Sequence, residues 1–237
     1  MTSLRVAPNE KNSSQIEQHS QSFCVKVCRV IFDDSVSGQI SVTQLRGFLG
    51  NLFVDDPEFH HHSENAYHYP LIQHKKADGL LFILGLQNYA LILAKRITSV
   101  DTISTPIGRY YLRSKRIKIQ NEEIVHRSCY YEFVSPWLAL NEVNYSLFKT
   151  MDRRQRRKFL ERILVANVLS CLKGLGIRIN FRVKADICQY KTLRVKAHGN
   201  LFIGFFARFR LNVMLPDLIG LGKSVSKGYG AIRRIDV

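Results

Sequence analysis

Acidic residues are scarce in this 237-residue chain: 19 Asp and Glu stand against 35 Lys and Arg, a formal net charge of +16. A chain this basic is expected to meet a polyanion, either nucleic acid or an anionic membrane surface. Six prolines and fourteen glycines exclude collagen-like and proline-rich classes. No CxxC pair occurs among the five cysteines, so zinc-ribbon spacing is absent. Cys24, Cys28, Cys129, Cys171 and Cys188 read instead as small hydrophobes in a reducing compartment. The longest apolar stretch, Leu80 to Ala94, is interrupted by Gln87 and Asn88 and is too short to span a bilayer. Residues 1–22 lack the apolar segment of a secretory signal and read as a polar, disordered arm. The expectation is a cytoplasmic protein with no membrane partner.

The hydrophobic share of 46% is ordinary and fills a core, which excludes wholesale disorder. The charge is uneven. Residues 1–126 carry 14 basic and 12 acidic residues, whereas residues 127–237 carry 21 and 7. The anionic partner is therefore expected on the second half.

Hydrophobic periodicity divides the chain at about residue 125. The run from Phe23 to Phe32 suits a strand, and Val42, Leu45, Phe48, Leu49 and Leu52 fall on one helical face behind a Ser41/Gln44 capping box. Strands are expected in AYHYPLIQHK and GLLFILG with a turn at Asp78-Gly79, a helix in GLQNYALILAKRI, and strands in RYYLRSKRIKI and EIVHRSCYYEFVS. This β-α-β-β-α-β order is the ferredoxin-like, RRM-like arrangement. The second half has a helix from Met151 to Gly174 with Asp152 as N-cap. IRINFRVK follows as strict alternation, then β runs in LFIGFFARFRLNV and GYGAIRRI, with no clean second helix. The expected fold is α+β: two tandem ferredoxin-like domains, residues 23–125 and a basic 126–237.

Three clusters carry chemistry. Arg153, Arg154, Arg156 and Arg157 open the second-half helix, where the dipole disfavours cations by roughly 0.3–1 kcal/mol each. A phosphate there reverses the sign, so these arginines are candidate phosphate ligands. Gly220, Gly222, Lys223, Lys227, Gly228 and Gly230 form a basic loop in which glycine removes the Cβ between backbone N–H groups and an anion. It is not a P-loop, because Asp217 stands where the leading glycine belongs. Nor does Lys227-Gly-Tyr-Gly open an RRM signature, since Ala231 and Arg234 stand where aromatics belong. The third cluster is Phe59-His60-His61-His62 with Tyr67, Tyr69 and His74. Imidazole exchanges protons near neutral pH, and no carboxylate or cysteine has metal-motif spacing with it.

Leu45-Arg-Gly-Phe-Leu-Gly50, Phe59-His-His-His62, Tyr69-Pro-Leu-Ile-Gln-His-Lys75, Ser135-Pro-Trp-Leu-Ala-Leu-Asn141 and the Gly220–Gly230 loop together resemble CRISPR-associated repeat-RNA endoribonucleases of the "Cas six" family, in its type I-B-like branch. The resemblance covers roughly residues 23–235. It implies tandem ferredoxin-like domains and cleavage of precursor CRISPR RNA within each repeat, without metal or other cofactor. The 2′-hydroxyl attacks the adjacent phosphate, leaving a 2′,3′-cyclic phosphate and a 5′-hydroxyl. The catalytic positions map onto His60, His62 and Tyr69; on chemical grounds a nearby cation, Lys75 or one from the second domain, is expected to offset phosphorane charge. Expected partners are precursor and mature CRISPR RNA and a CRISPR effector complex, for a monomer or homodimer. The competing readings are a non-catalytic RNA-binding subunit of an effector complex, and a metal-dependent nuclease using the three histidines.

Overall fold

Alternating Val25, Val27, Val30 and Phe32, all buried, begin the first sheet as strand β1 (Ser22–Phe32). The structure is a computed structural model and describes residues 22–54, 68–197 and 199–236. The N-terminal arm before Ser22 and the His60–His62 cluster lie outside the described residues.

One turn of helix, α1 (Asp34–Ser37), is capped by Asp33. Helix α2 (Val42–Leu52) starts on the capping box read from the sequence. Ser41 Oγ accepts from the Gln44 N–H at 3.2 Å, and Gln44 Oε1 accepts from the Ser41 N–H at 2.8 Å. Strands β2 (Ile72–Ala77) and β3 (Leu80–Leu86) form a hairpin whose turn residues Asp78 and Gly79 have φ of 51° and 79°. Two positive φ values give the turn the twist of the strands it joins. Helix α3 (Asn88–Thr98) follows. Beyond it, the stretch expected as one strand after Arg109 is divided. A separate hairpin, β4 (Thr102–Thr105) with β5 (Gly108–Tyr111), precedes the long strand β6 (Lys115–Val125). The sheet order is β2-β3-β1-β6, every pair antiparallel, which is the ferredoxin-like order.

The second half repeats that order with different parts. Strand β7 (Cys129–Phe133) leads through α4 (Glu142–Thr150) to α5 (Arg153–Gly174), then β8 (Ala185–Ala197), β9 (Asn200–Leu211) and β10 (Ile232–Ile235). The order is β10-β7-β9-β8. Leu160, Leu164, Val168, Cys171 and Leu172 form the buried stripe of α5, which starts on the Asp152/Gln155 capping box. Among the described residues no helix lies between β9 and β10. A loop, residues 212–231, takes its place.

One expectation for this half is corrected. Ile177–Lys184 is not a strand, although Ile177 and Val183 are buried as the alternation requires. Asn212 holds the segment instead: its Oδ1 accepts from the Lys184 N–H at 2.7 Å and its Nδ2 donates to the Arg182 carbonyl at 2.9 Å. The pairing strand is β8, whose alternation is broken by an irregularity between Ile187 and Gln189. Such a shift hides a strand from period-two reading.

One core crosses the boundary between halves. Val25, Val27, Leu84 and Leu86 of the first sheet share a buried cluster with Leu160, Leu164, Phe205 and Phe209 of the second half. The seam between the two halves is thus closely packed, and the loop 212–231 lies in it.

Candidate nucleic-acid interface

Ile219, Leu221 and Val225 are buried and root the glycine loop in the core. The Ser135–Asn141 stretch backs it from its own half. The Gly230 N–H donates to the Pro136 carbonyl at 2.9 Å and the Lys223 N–H to the Leu138 carbonyl at 3.1 Å. Trp137 lies beneath Gly222, and its Nε1 donates to Asn167 Oδ1 of α5 at 3.0 Å. A side chain at position 222 would place its Cβ 2.7 Å from the Trp137 ring, and one at position 230 would place it 1.9 Å from the Leu221 carbonyl oxygen, where φ is +66°. These glycines therefore permit close approach of protein to protein. A larger residue at 222 is therefore expected to disturb the fold as well as the loop.

The first half grips the same loop through one short stretch. Tyr69 is buried; its hydroxyl donates to the Gly220 carbonyl at 2.7 Å and accepts from Gln73 Nε2 at 3.0 Å. Gln73 Oε1 accepts from the Gly220 N–H at 3.0 Å. His74 bridges to Lys227 in parallel fashion, so the loop runs alongside the edge strand β2. Lys75, 0% exposed, donates from Nζ to the carbonyls of Val225 and Tyr229, each at 2.9 Å. Burial pushes its pKa down to about 7, offset in part by Cys171. The Cys171 thiol is pushed up to about 12 by the same burial. Lys75 is thus corrected from a cation facing phosphate to one facing the back of the loop.

A cleft of about 610 Å³ opens on the other side of the loop. Gly38–Gln44 at the start of α2, Lys76, Ser135, Pro136 and Lys227–Tyr229 line it. The Lys227 pKa is lowered by burial and by the nearby Arg46 guanidinium; that of Arg46 is lowered by its own burial. A cation whose charged form is disfavoured by burial and by a second cation marks a site short of negative charge.

The arginine cluster lies elsewhere. Gly174, at the far end of α5, is in tight contact with Tyr69. At 1.5 Å per residue the 22-residue helix carries its first turn ~30 Å from there. Arg153 and Arg154 are exposed. Arg156 is engaged: Nε and Nη2 donate to the Phe148 and Lys149 carbonyls at 3.0 Å each, and the guanidinium lies 5.0 Å from the Phe148 ring centroid. Arg157 donates to the Cys188 carbonyl at 3.0 Å. Beside them Lys158, Arg162, Arg182 and Lys184 line a groove of about 1120 Å³ with Glu161 and Asp186. Lys223 is exposed, Lys227 and Gly228 are partly exposed, and Gly220 and Gly230 are buried.

Sequence reading missed Gln73, Trp137 and Arg46 as parts of the site. The runs containing Gln73 and Trp137 were visible as motifs, but nothing local says that they meet. Among the described residues no helix is long and apolar enough to cross a membrane, and no cluster of three or more His, Cys, Asp and Glu is placed to hold a metal.

Comparison with known proteins agrees with this architecture. Residues 24–123 match the model of the Cas6b N-terminal domain, and residues 123–235 that of the Cas6b C-terminal domain. A crystal structure of Cas6b is 25% identical, with a TM-score of 0.80, covering 90% of this chain and 100% of the other. A second, of a Cas6b described as a CRISPR RNA processing endoribonuclease, is 24% identical with a TM-score of 0.70 over 90% and 100%. The protein MJ0978 of Methanocaldococcus jannaschii, itself uncharacterised, is 38% identical over 121 residues, 51% of this chain and 82% of the relative.

Proposed function

The chain belongs to the Cas6 family, both of its halves being of the Cas6b kind, and we propose that it is the endoribonuclease that cuts precursor CRISPR RNA within its repeats. The observation carrying this reading is the match of both domain models across residues 24–235, on a fold in which a basic glycine loop is clamped between the two halves.

The RNA 2′-hydroxyl attacks the adjacent phosphorus. A 2′-O–P bond forms, the P–O5′ bond breaks, and the products are a 2′,3′-cyclic phosphate and a 5′-hydroxyl. His60 and His62 supply the base that takes the 2′-hydroxyl proton and the acid that delivers one to O5′, help worth roughly 10²–10⁴-fold. Tyr69 follows His62 by seven residues, and its hydroxyl is committed to Gly220 and Gln73. Its role in this reading is to tether the end of the histidine segment to the seam, not to touch the phosphate. Lys223, Lys227 and the N–H groups of the loop hold the RNA backbone near the cut. Arg153, Arg154, Arg157 and the groove beside α5 hold a more distant stretch by charge. The mature product stays on these surfaces as the RNA component of an effector complex.

The test is incubation with repeat RNA in EDTA. Wild type is expected to cut, His60→Ala and His62→Ala to lose at least 10²-fold in rate with binding kept, and a substrate with a 2′-deoxy sugar before the scissile phosphate to bind uncut. Cutting of that substrate at the normal rate overturns the mechanism. Tight binding without any cutting by wild type gives the protein the role of an RNA-binding subunit. Loss of activity in EDTA points to the metal-dependent alternative.

A further inference from the structure

A lysine with no accessible surface and, among the described residues, no carboxylate against it is costly, because an ammonium loses its hydration on burial. Lys75 is in that position. The titratable groups around it are Cys171 from α5, Tyr69 and His74 from its own segment, and Lys227 and Tyr229 from the loop. The Cys171 thiol also hydrogen-bonds Tyr69. The bonds Lys75 makes go to two carbonyls 150 and 154 residues further along the chain. A trans peptide carries its N–H opposite its C=O, so drawing the Val225 carbonyl inward turns the Ser226 N–H away from Lys75. The N–H groups of Gly228 and Tyr229, two residues that line the cleft, take no acceptor among the described residues. The two carbonyls that Lys75 holds flank the Ser226–Gly228 turn, and the Gly230 N–H on the far side of the Tyr229 carbonyl is taken by Pro136.

Resting on the reading of the loop as an RNA-backbone site, we propose that Lys75 is a positioning residue that sets the loop for phosphate and takes up a proton when RNA binds. The ammonium pins the backbone at Val225 and at Tyr229, and so fixes the short turn between them that carries the Gly228 and Tyr229 N–H groups. A phosphate on the outer face favours the charged form of the lysine behind it. With burial holding the free-state pKa at about 7, the free protein is only partly protonated there at neutral pH. Binding and protonation are then linked: each promotes the other. The affinity contributed by Lys75 is full at pH 6 and falls as pH rises through 7 and 8. An upward pKa shift of about one unit on binding makes RNA affinity fall about threefold between pH 7 and 8 from this group alone.

The experiment uses the full chain and a repeat RNA made uncleavable by one 2′-deoxy sugar. Proton uptake is read by titration calorimetry at pH 7.5 in two buffers of different ionisation enthalpy, and affinity is read from pH 6.5 to 8.5. Wild type is expected to take up a fraction of a proton; no uptake overturns the proposal. Lys75→Met is expected to lose that uptake and the extra threefold fall. A folded Lys75→Met variant with unchanged uptake also overturns it. Should Lys75→Met fail to fold, Lys75→Gln retains two donors without a titrating charge and is read the same way. Wild type binding repeat RNA no more tightly than an unrelated RNA would sink the RNA reading itself, an outcome separate from any of these.

Discussion

The two halves share a strand order and differ most in the second crossover. In the first, both crossovers are helices, α2 and α3, packed on the β2-β3-β1-β6 sheet. In the second, the helix between β9 and β10 is replaced by residues 212–231, which leave their own half and dock along β2. A helix satisfies its own backbone, whereas a loop must find outside partners for every buried N–H and C=O. Here Tyr69, Gln73, His74 and Lys75 supply them from the first half, and Pro136, Leu138 and Ser135 from the second. The lesson is that the irregular half is the one that needs its neighbour. Its loop is held in place by partners from both halves.

That comparison is most easily broken at Gly230. Val at this position forces a Cβ into the Leu221 carbonyl at positive φ, and we expect a loss of about 3 kcal/mol or more in urea unfolding. A folded variant with an unchanged midpoint would mean that the loop is not clamped as described. Next in size is the pH dependence of stability. Lys75 is depressed to about 7 in the folded chain against about 10.4 when unfolded. Between those values the unfolded chain binds more protons, so stability rises with pH. From pH 7 to 8.5 the wild-type melting midpoint should climb relative to Lys75→Met, the other titrating groups being common to both chains. A parallel course of the two curves would contradict the burial of Lys75.

A smaller effect separates two neighbours at the head of α5. Arg156→Ala removes bonds to the last turn of α4 and should cost about 1 kcal/mol of stability. Arg154→Ala should leave stability within about 0.5 kcal/mol but reduce the salt slope of RNA binding by about 1. Equal behaviour of the two would remove the distinction between tethered and solvent-facing arginines. The smallest change is in the regular half. Gly47, inside α2 with open space around it, should accept Ala with a gain of about 0.5–1 kcal/mol, read as a higher thermal midpoint.

Much of this was open to inspection in the chain alone. The capping boxes at Ser41 and Asp152, the Asp78-Gly79 turn and the apolar stripes of α2 and α5 depend on residues within four positions of one another. Local rules suffice for them. Charge asymmetry and the spacing of glycines in the loop likewise pointed to a polyanion and to a special backbone. What sequence could not determine is which groups meet across 150 residues. The split of Arg109–Ile119 into two strands, the failure of Ile177–Lys184 to pair and the irregularity that masks β8 were decided by available ladder partners, a tertiary property. Lys75 reads in the chain as one more cation for phosphate. Only the packing of β2 against the loop turned it inward, because buried carbonyls with no helix of their own required a donor and this one lay within reach.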